Sequence, residues 1–119
     1  MSHKKSKLDK KKAKYFSMYM SWGEVFCPAL KANVLFTRMG WNHICETKWR
    51  TGPEQGRRLE ILPLSKKLIG LTTTIQAVRY MHEFASRTYE FNAWMDGVYV
   101  VAVVSEKNGK YYFLSNFRP

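Results

Sequence analysis

The sequence predicts an α+β domain in which N-terminal helices pack on a twisted, roughly four-stranded antiparallel sheet. Three observations predict it. Helical spacing of apolar residues is concentrated before residue 70. The last third holds alternating and continuous apolar runs rich in β-branched and aromatic residues. The dipeptides Asp96-Gly97 and Asn108-Gly109 divide those runs, and such dipeptides favour tight hairpin turns.

Met1–Lys14 reads as a disordered basic arm, because lysines dominate it and apolar residues are nearly absent. Residues 15–119 then form a single domain. Tyr15, Met18, Tyr19, Trp22, Val25 and Phe26 recur at three- and four-residue spacing and predict an amphipathic helix, which Pro28 ends. Val34–Thr37 predicts a short strand, broken by Gly40. A helix follows from about Trp41 to Trp49. His43, Glu46, Thr47 and Arg50 share its polar face; Trp41, Ile44, Cys45 and Lys48 share the other. Arg50–Arg58 reads as a loop by its Gly, Pro and charge. Pro63–Ile69 predicts a short helix with proline in its first turn.

Thr72–Arg79 fits either state. Its run of threonines and Ile75 favours a strand, whereas Ile75, Val78, Met81 and His82 have helical spacing. Tyr89–Met95 alternates, with Tyr89, Phe91, Ala93 and Met95 facing inward. Val98–Val104 is continuously apolar and predicts the central strand. Lys110–Phe117 predicts the last one.

The charge is +11, with a pI near 9.8. Seven lysines and one acid in Met1–Lys14 supply +6 of it, and the folded part supplies the remaining +5, much of it as arginine. Arginine forks match phosphate oxygens, and a lysine-rich segment attracts polyanions with little geometry. The expected partner is therefore RNA, with tRNA among the candidates. No apolar run approaches the roughly 20 residues of a membrane span, and the charged start lacks a secretory core. The expected location is cytoplasmic, with Cys27 and Cys45 as reduced thiols.

His43 is the first candidate for proton transfer, because imidazole can take a proton in one step and return it in another. Cys27, Cys45, His43 and His82 match no zinc-knuckle spacing, and there is no phosphate-binding glycine loop. No metal or cofactor is expected. Cys45, on the apolar helix face, reads as an inert thiol. Tyr111, Tyr112 and Phe113 suggest a base-stacking platform, although adjacent strand residues alternate faces.

VLFTRMGWNHI, RRLEILPLSKKLI, TTTIQAVR and YEFNAWMDGVYVVAVVSEKNGKYYFLSNF, in that order, resemble the phage-associated branch of the barnase, EndoU, colicin and RelE-like (BECR-fold) nuclease family. The likeness spans about Ala29–Phe117. It implies a small metal-independent ribonuclease of phage or mobile-element type, toxin-like, with an acidic inhibitor or antitoxin as a second partner. It also implies an open sheet face for RNA. The catalytic histidine maps to His43, the basic residue of the middle strands to Arg79 and the last-strand hydroxyl to Ser115. Gln76 falls in the same segment as Arg79.

The chemistry needs only these parts. RNA carries its own nucleophile, so cleavage requires a base for the 2′-hydroxyl, an acid for the leaving 5′-oxygen and a cation for the phosphorane. His43 supplies base or acid, Arg79 or Arg50 the phosphate clamp, and Ser115 or Thr47 a hydrogen-bond donor. Glu46 either orients His43 or pairs with Arg50. Lys10, Lys11 and Lys12 add contacts to the RNA backbone. The rival reading is a nucleic-acid-binding module without turnover.

Overall fold

The structure is a computed structural model, and it describes residues 6–45, 50–81 and 86–119, Met81 by its backbone alone. The described elements follow as α1 (Lys7–Ser21), β1 (Glu24–Cys27), β2 (Ala32–Leu35), α2 (Arg38–Ile44) and α3 (Gly52–Glu60), then α4 (Leu62–Leu71), β3 (Ala77–Met81), β4 (Ser86–Met95), β5 (Val98–Lys107) and β6 (Lys110–Phe117). The class is α+β, as the sequence predicts.

The four-stranded antiparallel layout needs correction. The sheet has six strands in the order β1-β2-β6-β5-β4-β3, and it is mixed. β3 to β6 form the expected antiparallel meander. An N-terminal hairpin then extends it: β2 runs parallel to β6, with Val34 beside Tyr111 and Leu35 beside Tyr112, and β1 closes the edge antiparallel to β2. β1 takes Val25 and Phe26, which the helical spacing assigned to the first helix. Gly23, at φ +63°, turns the chain before them.

That first helix also starts earlier than expected. Lys7–Lys14 is helical and not a disordered arm, because Ser6 and Asp9 form a capping box. The Ser6 hydroxyl accepts from the Asp9 N–H at 3.1 Å, and the Asp9 carboxylate accepts from the Ser6 N–H at 3.4 Å. Residues 51–58, read as loop, belong to α3 and its cap. Thr51 accepts from the Glu54 N–H at 3.2 Å, and Pro53 sits in the first turn, where its missing N–H costs nothing. The strand reading of Thr72–Arg79 holds from Ala77 onward.

The core lies between the helices and one face of the sheet. Tyr89, Phe91, Val100, Ala102, Val104 and Phe113 project from β4, β5 and β6 against Ile44, Leu59, Leu62 and Ile69. Tyr19 of α1 is fully buried among Trp22, Phe36, Trp41 and Phe113, with ring centroids 5.7–6.0 Å away. Its hydroxyl donates to the Thr37 carbonyl at 2.6 Å, and burial raises its pKa well above the usual phenol value.

A polar knot ties β6 to α3 and α4. Asn116 has no exposed surface, and its Nδ2 donates to the Arg58 carbonyl and to Ser65 Oγ, both at 3.0 Å. The Arg58 guanidinium in turn donates to Ser115 Oγ at 3.0 Å and to the Asn116 carbonyl. Asn116→Ala removes two buried donors and leaves both acceptors short. It is expected to cost about 2–3 kcal/mol, read as a lower denaturation midpoint. A change within about 0.5 kcal/mol would mean that the knot closes without Asn116.

Candidate nucleic-acid interface

α2 carries the candidate histidine and lies against β6. Its contact side is Gly40, Trp41 and Ile44, all buried. Gly40 lets the helix approach: a Cβ there would stand 2.3 Å from the Phe113 carbonyl and 2.7 Å from the Tyr19 hydroxyl. Arg38, Met39 and His43 are left exposed on the other side.

They form one wall of an open groove of about 790 Å³ on the sheet face away from the core. The floor comes from alternate strand residues: Ser86 and Thr88 of β4, Ser105 and Lys107 of β5, and Tyr112 and Leu114 of β6, with Asn108 at the rim. Leu114 is an extra residue at the register shift of β6 opposite Val103 and Val104, and such a bulge redirects a side chain. The described lining contains two permanent cations, Arg38 and Lys107, one imidazole and five hydroxyls, and no carboxylate. A concavity with this described lining, in a chain of charge +11, favours an anionic ligand.

Arg79 stands on the same face, one step aside. It pairs with Thr88, Thr88 with Ser105, and Ser105 with Tyr112, giving one cross-strand row over β3, β4, β5 and β6. At about 4.8 Å per strand, roughly 14 Å separates the Cα atoms of Arg79 and Tyr112. Arg79 lines a neighbouring cleft of about 290 Å³ with Ala77, Glu90, Val103 and Phe117, and Thr88 is the wall common to both spaces. It is exposed, and no ion pair holds it among the described residues. His43 and Arg79 therefore flank one threonine and do not line one pocket.

The other expected residues lie elsewhere. Ser115 is 6% exposed, and its hydroxyl accepts from Arg58. Gln76 is spent on the sheet edge, where its Oε1 accepts from the Asn92 N–H at 2.9 Å and its Nε2 donates to Thr74 at 3.2 Å. Arg50 is half-buried near Arg58; its charge, added to burial, lowers the Arg58 pKa. Lys11 pairs with Glu60 at 2.5 Å, Lys10 is exposed and Lys12 partly buried on α1, all outside the groove. Thr47, Glu46 and His82 lie outside the described residues.

Sequence reasoning missed Arg38, Thr88, Ser105 and Lys107. Alternation along β5 carried the signal for the last two, since Val101, Val103, Ser105 and Lys107 share a side. The valines hid it by making the strand look apolar on both faces. The thiols offer no competing site: burial pushes the pKa of both Cys27 and Cys45 up, which disfavours the nucleophilic thiolate. No helix among the described residues is long and apolar enough to cross a membrane. Compared with protein-family models, with curated proteins and with solved structures, the chain matches none of them.

Proposed function

We propose that the groove takes the backbone of RNA and that His43 promotes metal-independent cleavage by attack of the 2′-hydroxyl on its own phosphate. One observation carries this reading: an exposed imidazole shares a groove with Arg38, Lys107 and a floor of hydroxyls, with no carboxylate among the described lining residues. His43 takes the 2′-hydroxyl proton or delivers one to the leaving 5′-oxygen. Arg38 and Lys107 offset the charge that grows on the phosphorane, and Thr88 and Ser105 donate to its oxygens. Arg79, across Thr88, holds a neighbouring phosphate, which moves it from clamp of the reacting group to positioning of the strand.

The likeness to BECR-fold nucleases supports the same reading, on a sheet that carries two strands more than that likeness implies. An acidic inhibitor protein fits the same basic groove. A binding module without turnover remains the second reading, favoured by a specific feature. The described lining has one imidazole and no carboxylate, so among the described residues the second proton carrier is Lys107, Tyr112 or a water.

Incubation of single-stranded RNA with the protein in EDTA tests the proposal. The expected products end in 2′,3′-cyclic phosphate. Intact RNA alongside tight binding would favour the second reading. Replacing Arg38 and Lys107 together by alanine is expected to weaken binding and to flatten its salt dependence by about 1.4 in the log–log slope, about 0.7 for each charge. An unchanged slope would remove the groove from the binding surface.

A further inference from the structure

The outward sheet face continues beyond the groove, past a buried Val101, to exposed residues at its far end. Along β4 the outward residues run Thr88, Glu90, Asn92 and Trp94, and along β5 they run Ser105, Val103, Val101 and Tyr99. At about 3.4 Å per residue, Trp94 lies roughly 20 Å from Thr88. Trp94 is 73% exposed, the most exposed of the large apolar side chains described. It is not a stray core residue. Its neighbours Ala93 and Met95 face the core, so the pleat turns Trp94 outward. Tyr99 stands directly opposite in the ladder, and the two rings meet edge to face with centroids 5.3 Å apart. The contact with Tyr99 steadies the indole and leaves most of its surface to solvent.

We infer that Trp94, braced by Tyr99, is a base-stacking subsite that makes single-stranded RNA of four or more nucleotides the ligand of this face. The inference rests on the RNA reading of the groove. Phosphates follow cations, and bases follow aromatic faces. The order along the face is Lys107 and Arg38 at one end, Arg79 at the side of the path and an open indole at the other end. A span of about 20 Å matches the reach of several nucleotides, since single-strand grooves of comparable domains hold about 4–16. Duplex RNA cannot use the indole, because its bases are already stacked and paired. Glu90 and Asn92 lie between the two ends and face base edges more favourably than phosphates, which keeps the backbone toward Arg79.

The test compares Trp94→Ala and Trp94→Phe with wild type on three probes of about twelve nucleotides: a single strand, its duplex and an abasic strand of equal charge. Trp94→Ala is expected to weaken the single strand about tenfold. It should leave the duplex and the abasic strand unchanged, and Trp94→Phe should restore most of the loss. If wild type binds the single strand and Trp94→Ala binds it equally, the subsite is refuted while the groove reading stands. An equal loss on all three probes would make Trp94 a support of the fold and also refute it. If wild type binds none of the probes, the groove reading falls and the subsite falls with it. Unchanged RNA binding with loss of self-association or of a protein contact would assign the indole to a protein interface instead.

Discussion

His43→Ala is expected to lower the rate of RNA cleavage by about 10²- to 10⁴-fold, the range that one positioned acid or base supplies. RNA affinity should change little, because Arg38, Lys107 and Arg79 still hold the phosphates. The fold should also survive. His43 is exposed, and the residues that seat α2 on the sheet are Gly40, Trp41 and Ile44. The loss should therefore appear in kcat and not in KM, the pattern of an interaction made in the transition state. Single-turnover cleavage and equilibrium binding on one RNA separate the two quantities. Equal rates for variant and wild type would take His43 out of the mechanism.

Gly40→Ala is expected to damage both stability and activity. Alanine normally favours a helix over glycine by roughly 0.5–1 kcal/mol, so a stabilising change is the naive expectation. Here the added methyl meets the Phe113 carbonyl at 2.3 Å, a backbone atom of an interior strand that cannot swing aside. The Tyr19 hydroxyl at 2.7 Å is equally fixed, since it bonds the Thr37 carbonyl just before α2. Relief requires α2 to lift from β6, at a cost of about 1–3 kcal/mol or more. The same movement carries Arg38 and His43 away from Thr88 and Ser105, and a displacement near 1 Å is enough to cost about 10²-fold in rate. Thermal melting and cleavage assays should therefore fall together. A variant as stable and active as wild type would show that α2 is not seated through Gly40.

These expectations depend on parts of the molecule that differ in how openly the sequence declares them. The β4–β5 and β5–β6 hairpins are plain in the sequence because their turns are chemically specified. Asp96 and Gly97 have φ of 50° and 80°, and Asn108 and Gly109 have 53° and 76°, the left-handed pairs that such dipeptides favour. β6 spans Lys110–Phe117, as its alternation predicts. β1 is hidden because two residues in a strand of four also satisfy a helical period. α3 is hidden because Gly52, Pro53 and Gly56 signal a loop by composition, although Thr51 and Glu54 signal a helix start. The exposure of His43 follows from helix periodicity alone. The burial of Ser115 does not, because it depends on Arg58 reaching from α3 to the edge of β6, a contact between distant segments. The row that joins Arg79 to Thr88, Ser105 and Tyr112 is likewise a property of strand register, which one residue of slippage would erase.

The parallel junction of β2 with β6 makes the seat of His43 depend on segments far apart in the chain. β6 is the last of the described strands in sequence, yet it lies third in the sheet, between the β1–β2 hairpin and β5. α2 is held chiefly by β6, so the helix bearing His43 has no seat until Phe113 arrives. Pairings between such distant segments close slowly, because their loop entropy is lost before the contacts form. The N-terminal half by itself carries Arg38 and His43 with no floor beneath them, because the floor comes from β4, β5 and β6. Local opening of β6 would therefore unseat α2 and dissolve the groove in one event.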